Sequence, residues 1–123
     1  MATTDAASTD PDCLFCKIVA GEIPATLVHE DSHTVAFRDL DPQAPTHVLV
    51  VPRRHVPDVA ALAHEAPEEV ASLVEAVAAV ARAEGVADDG YRSVFNTGAG
   101  AQQSVFHAHV HVLGGRAMTW PPG

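Results

Sequence analysis

Basic residues, aromatics and cysteines are all scarce in this chain. Seven Lys and Arg stand against 16 Asp and Glu, for a formal net charge of −9. A long phosphate backbone is gripped by clustered cations, and the only basic doublet is Arg53-Arg54. A nucleic-acid polymer is therefore not the expected partner. A small phosphorylated ligand stays open, because backbone N–H groups hold phosphate without net charge. Aromatics make up 5% of the 123 residues, so the core of what reads as one domain must be built from Val, Ala and Leu. No apolar run is long enough to span a bilayer. Residues 1–11, rich in Ala, Thr, Ser and Asp, lack the basic-then-apolar layout of a leader and read as a disordered tail before a domain at 12–123. Both cysteines fall in Cys13-Leu14-Phe15-Cys16, which leaves no disulfide framework. The expected location is cytoplasmic, where such a pair serves metal or redox chemistry.

Histidine is what the chain has in quantity. Three of its eight histidines form the run His107-Ala108-His109-Val110-His111. In an extended strand alternate side chains share a face, so the three imidazoles line one side about 6.6 Å apart. A helix would scatter them, since i and i+2 do not share a helical face. The residues between are small or β-branched, which suits a strand packed on its other face. Such a ladder can bind a metal through nitrogen. It can also do nucleophilic and proton-transfer chemistry near neutral pH. The spacing alone leaves both open.

The rest of the chain reads as alternating short elements. Leu14, Phe15, Ile18 and Val19 have helical spacing, stopped by Gly21 and Pro24. Residues 26–29 and 34–37 look like a hairpin around Glu30-Asp31-Ser32. His47-Val48-Leu49-Val50-Val51 has the composition of a strand buried on both faces. A short helix is expected within 55–64. From Pro67, residues Val70, Leu73, Val74, Val77, Val80 and Ala81 predict the one long helix, stopped at Gly85. Residues 91–96 predict another strand, and 97–103 a loop. The expected fold is α+β: a mostly antiparallel five-stranded sheet with one long helix and a short N-terminal helix.

His107-Ala108-His109-Val110-His111-Val112-Leu113 resembles the His-x-His-x-His signature of the histidine triad (HIT) family. Asp12-Cys13-Leu14-Phe15-Cys16-Lys17-Ile18, Gly21-Glu22-Ile23-Pro24, Ala36-Phe37-Arg38-Asp39, Asp41 to His47 and Gln103-Ser104-Val105 are similar to other parts of it. The ending Trp120-Pro121-Pro122-Gly123 resembles the purine nucleoside phosphoramidase branch. The resemblance implies a hydrolase that cleaves the P–N bond of AMP-like phosphoramidates through a nucleotidyl-histidine intermediate. It implies His109 as nucleophile, His111 as the phosphate-side helper, and His107 and His47 as orienting residues. Ser104 and Gln103 match phosphate or leaving-group contacts, Asn96 a position near ribose and phosphate, and Asp39 the acceptor for both ribose hydroxyls. Phe15, Ile18, Phe37 and Leu40 match the purine slot, although the same residues would also serve as plain core. Where the family commonly has Gly before Gln-Ser, this chain has Gln102, whose side chain would crowd the phosphate loop. Phe106 is expected on the packed face.

In some prokaryotic members, positions matching Cys13, Cys16, His55 and His107 hold structural Zn²⁺. Two thiolates and two imidazoles form a closed tetrahedral set with no open catalytic position. The resemblance further implies a homodimer in which Trp120 reaches toward the second copy's site. A purine nucleoside monophosphate is the expected ligand. The alternative reading is a nucleotide-binding adaptor whose hydrolysis is incidental.

Overall fold

The computed structural model describes residues 9–123; the expected tail lies mostly outside them. The elements are helix α1 (Leu14–Val19), strands β1 (Leu27–Glu30), β2 (Thr34–Arg38) and β3 (Thr46–Pro52), helices α2 (Val59–Glu65) and α3 (Pro67–Ala83), strand β4 (Tyr91–Val94), a 3-10 turn at Ala99–Ala101, and strand β5 (Val110–Gly114). The five strands form one antiparallel sheet in the order β1-β2-β3-β5-β4. The α+β architecture expected from the sequence is the one observed.

Local chemistry explains most boundaries. Asp31 closes the β1–β2 hairpin by accepting from the Thr34 hydroxyl at 2.7 Å and from the Thr34 and His33 N–H groups at 2.8 and 2.9 Å. Burial pushes its carboxyl pKa up, but these hydrogen bonds outweigh burial and hold it well below the usual range. Asp58 caps α2 by accepting from the Ala61 N–H at 2.8 Å. In α3, Pro67 takes the first helical position and Glu68 and Glu69 occupy the first turn. Glu69 also receives two bonds from the Arg54 guanidinium, at 3.1 and 2.8 Å, which fasten the exit of β3 to the start of the helix. The helix ends before Gly85, whose φ of +75° is ordinary for glycine and strained for other residues.

Strand β3 is the centre of the molecule, buried at all seven positions. Its two faces belong to different clusters. Val48 and Val50 join Val110, Val112, Leu62, Leu73, Val77 and Val80 in the larger core beneath α2 and α3. Leu49 and Val51 join Phe15, Val35 and Phe37 in a smaller core beneath α1. The histidines lie on this second side.

Three expectations are corrected in detail. Val74 is 60% exposed, because the buried stripe of α3 runs through Leu73, Ala76, Val77, Val80 and Ala81. Phe106 is 51% exposed rather than packed. The histidine strand is shorter than expected: pairing with β3 begins at Val50–Val110, so His107, Ala108 and His109 lie ahead of the ladder. Pro52, which would pair next to them, has no N–H to donate. Its carbonyl instead accepts from the His107 ring at 2.8 Å, while the Ala108 N–H goes to the Val56 carbonyl, also at 2.8 Å. Alternation survives without the ladder, with Ala108, Val110 and Val112 in the core beneath the helices.

Candidate functional site

A cavity of about 290 Å³ opens between α1 and the second face of the sheet. Leu14, Phe15, Ile18, Phe37 and Leu49 make its apolar wall, with Leu40 fully exposed at the edge; Asp39, Ser104, His109 and His111 supply polar groups. Phe15 stands edge-on to Phe37 and to the His109 ring, with centroids 5.4 and 5.1 Å away. One helical residue therefore joins the apolar wall to the imidazoles.

The hydrogen bonds determine which nitrogen of each ring carries the proton. Register places His47 opposite Leu113 and Leu49 opposite His111, so the two histidines are diagonal neighbours on one face. The Gln43 N–H donates to Nδ1 of His47 at 3.0 Å. A neutral His47 therefore carries its proton on Nε2. That proton is donated to Nδ1 of His111 at 2.8 Å, which leaves the His111 proton on Nε2. His109 Nδ1 lies 2.7 Å from the His107 carbonyl, an obligate acceptor, so a neutral His109 ring carries its proton on Nδ1 and keeps a lone pair on Nε2. The cluster thus offers one bare nitrogen on His109 and one N–H on His111, with ring centroids 5.1 Å apart. Burial pushes the His111 pKa down to about 4, helped by His109 and His47 and opposed by Asp39. Burial likewise lowers His47, against the pull of Asp39 and Asp41. Both rings are neutral at pH 7.

Asp39 lies at the mouth of β2. One oxygen accepts from the Asp41 N–H at 2.8 Å and the other is 3.5 Å from Nε2 of His47. Each carboxylate oxygen has two lone pairs, so capacity for a ligand remains. Gln103 is buried and does not line the cavity. Its carbonyl oxygen accepts from the Gly98 N–H, and its NH₂ group donates to the Pro57 and Val105 carbonyls. Asn96 donates to the Ala101 carbonyl at 2.7 Å, and both residues act on the 97–105 loop. Gln102 lines the cavity with a left-handed backbone, φ +69°. That backbone conformation favours glycine, so the Gln102 side chain meets a conformational penalty as well as a limit of space. Trp120 is 80% exposed and away from the cavity, with the Arg92 guanidinium 5.9 Å from its ring.

The first histidine of the run lies on the same side but meets a different cluster. Nδ1 of His107 is 3.5 Å from the Sγ atoms of both Cys13 and Cys16 and 3.2 Å from Nδ1 of His55; Cys16 Sγ is 3.4 Å from that His55 atom. A zinc ion with bonds of about 2.3 Å to sulfur and about 2.0–2.1 Å to nitrogen would set tetrahedral edges near 3.6 Å for S···N and 3.3 Å for N···N. Those three S···N distances and the N···N distance already match that spacing, and all four donors lie within 4.8 Å of one another. Donation of Nε2–H to Pro52 leaves a lone pair on His107 Nδ1, and burial holds that ring neutral, with a pKa of about 4. Burial also pushes the Cys16 thiol up to about 11, so a cation bound there has to displace its proton. The residues fit Zn²⁺, which when bound would supply a closed structural clip. The His107 ring does not meet the cluster of His47, His109 and His111; its carbonyl does.

The HIT domain profile matches residues 20–118. The chain is 40% identical over 107 residues to the purine nucleoside phosphoramidase of Escherichia coli K12, covering 87% of this chain and 90% of that one. It is 46% identical over 116 residues to the 14 kDa zinc-binding protein of Zea mays, covering 93% and 90%. Among solved structures, a HIT family hydrolase from Legionella pneumophila superposes with a TM-score of 0.87 at 50% identity, covering 91% of this chain and all of that one. With the imidazole cluster, the sheet order and these likenesses in agreement, the chain belongs to the histidine triad (HIT) family.

Proposed function

We propose that this protein is a purine nucleoside phosphoramidase acting through a nucleotidyl-histidine intermediate. The observation that carries the reading is the complementary pair on one cavity wall: a bare Nε2 on His109 beside an N–H on His111. In the first step His109 Nε2 attacks the α-phosphorus and the P–N bond breaks, with the electron pair leaving on the amine. His111 hydrogen-bonds the phosphate oxygens and assists proton delivery to the leaving nitrogen. Water then attacks the same phosphorus and the P–N bond to His109 breaks, releasing the monophosphate. Ser104 stabilises charge at the phosphate, and Gln103 and Asn96 serve it through the loop they hold. Phe15, Ile18, Phe37 and Leu40 take the purine, while Asp39 accepts from the ribose hydroxyls. Cys13, Cys16, His55 and His107 hold structural Zn²⁺, a set that needs reduced thiols and so fits a cytoplasmic location.

The same reading makes the protein a homodimer with Trp120 directed across the two-fold toward the second copy's cavity. The exposed apolar residues Tyr91 on the edge strand, Phe95 just past its end and Val74 on α3 support it.

The test is hydrolysis of a fluorogenic adenosine phosphoramidate by wild type and His109→Ala. Loss of turnover with AMP affinity kept is the expected result. Equal rates would remove His109 as nucleophile. A wild type that binds AMP but turns over negligibly would leave the adaptor reading instead.

A further inference from the structure

The peptide unit that joins His107 to Ala108 is gripped at both ends. Its carbonyl accepts the Nδ1 proton of His109 at 2.7 Å, and its N–H donates to the Val56 carbonyl at 2.8 Å. The first bond fixes the orientation and tautomer of the His109 ring. The sheet does not hold this unit, because the β3–β5 ladder ends at Val50–Val110. What flanks it on both sides is the metal set. His107 is itself a ligand, and Val56 directly follows the ligand His55.

We propose that Cys13, Cys16, His55 and His107, when they hold a divalent cation, act as a positioning device for His109 by locking the His107–Ala108 peptide where the ladder stops. The inference rests on His109 as nucleophile. With a cation between them, the facing Nδ1 atoms of His55 and His107 are tied, and Val56 is kept against the Ala108 N–H. Without it, Nδ1 of His107 is a lone pair 3.2 Å from the His55 ring, and the two segments have one fewer tie. His107 remains seated by burial and by Pro52. His55 lies on the irregular stretch between β3 and α2, only half-buried, so it is the partner that moves. The Val56 side chain stays in the larger core, and the change reaches the Ala108 N–H as a shift of the backbone between His55 and the Val56 carbonyl. The restraint on the His109 ring then loosens while the fold persists. His107 is a positioning residue, acting through its main chain.

Histidine-labelled protein, zinc-loaded and chelator-stripped, tests this by ¹⁵N NMR of the imidazoles alongside AMP binding and phosphoramidate turnover. Zinc-loaded protein should show His109 as one tautomer with Nδ1 protonated. Stripped protein, and His55→Ala, should show averaged or exchange-broadened His109 signals and a kcat lower by about tenfold or more, the scale that misplacing a reacting group produces. Identical His109 spectra with and without zinc would overturn the proposal. So would weakened AMP binding with unchanged His109 signals, which would mark the metal as a clip for α1 alone. Should stripping unfold the chain, Cd²⁺ substitution keeps four ligands with longer bonds. It should then shift the His109 resonances as well as those of His55 and His107, and a change confined to the two ligands counts against the idea. The NMR arm needs no turnover, so a chain that hydrolyses nothing would sink the phosphoramidase reading alone.

Discussion

His47 and His111 meet diagonally across β3 and β5, with Nε2 of one 2.8 Å from Nδ1 of the other. The bond lets a residue on the neighbouring strand decide which nitrogen of His111 carries the proton. His47→Phe should therefore lower kcat by about 10²-fold, the scale of a positioned proton donor, with AMP affinity nearly unchanged. His47→Gln, whose amide can still donate to His111, should recover part of that loss. Steady-state kinetics of the two variants, with equilibrium AMP binding, check it; equal activity in both would show that the bond is unimportant.

Acid should weaken the fold through the same rings. Burial puts the folded pKa of His111 at about 4 and lowers that of His47, against about 6.5 for an unfolded histidine. The unfolded chain therefore binds more protons between roughly pH 6.5 and 4. The stability that depends on neutral rings is complete above that window and is lost as pH falls through it. Urea midpoints should drop between pH 7.5 and pH 5, and His111→Gln should drop less steeply. A variant slope equal to the wild type's would rule out His111 as a contributor.

Gln102 offers a gain. A left-handed non-glycine residue costs roughly 1–2 kcal/mol; glycine removes that strain but loses roughly 0.5–1 kcal/mol more backbone entropy on folding. Gln102→Gly should raise unfolding free energy by about 0.5–1 kcal/mol in chemical denaturation, and a decrease would refute the strain argument. Because the side chain lines the cavity, KM should change as well.

Gly114 is fixed by space. A Cβ built there would lie 2.8 Å from a Val86 methyl, and Val86 is buried against it. Gly114→Ala should cost about 1–3 kcal/mol, the usual scale of overpacking. Adding Val86→Ala should return much of it, giving a non-additive double-mutant cycle in thermal unfolding. Strict additivity would show that the contact is not the cause.

Leu73 and Val74 are adjacent on α3 yet differ in burial, at 1% and 60% exposed. Leu73→Ala should cost about 2–5 kcal/mol at any protein concentration. Val74→Ala should cost no more than about 0.5 kcal/mol in chain diluted to the monomer, and more at concentrations where two copies cover it, by urea unfolding of each. A Val74→Ala loss as large as that of Leu73→Ala in the monomer would contradict its exposure on α3.

Most of the fold was legible because periodicity and punctuation agreed. The Val-rich run of β3, Pro67 with Glu68-Glu69 and the Gly85 stop each carry a local physical cause. The histidine alternation was legible too, and with it the face the imidazoles share. What local sequence does not encode is pairing across distance. Nothing near Pro52 announces that its carbonyl will take the His107 ring, or that Arg54 will reach Glu69. The family resemblance points to Gln103 as a ligand contact, while its amide is spent on three backbone groups, two in its own loop and one at Pro57. Its burial is a tertiary fact, and no neighbouring residue signals it. The diagonal of His47 and His111 depends on a strand register that short apolar runs leave open.

The two clusters on opposite faces of β3 also divide the molecule into units of unequal persistence. The face beneath α2 and α3 is closed by helices of seven and seventeen residues. The cavity face is closed by α1, six residues long, with only Phe15 and Cys16 buried. Helices that short are marginal without outside support. The wall of the cavity is thus a low-stability foldon mounted on a high-stability one. Amide hydrogens of α1 should exchange through local opening, and those of β3 only when the whole chain unfolds. A nucleotide that packs against Phe15 would bind its own enclosure, and slow exchange in α1 would report its arrival.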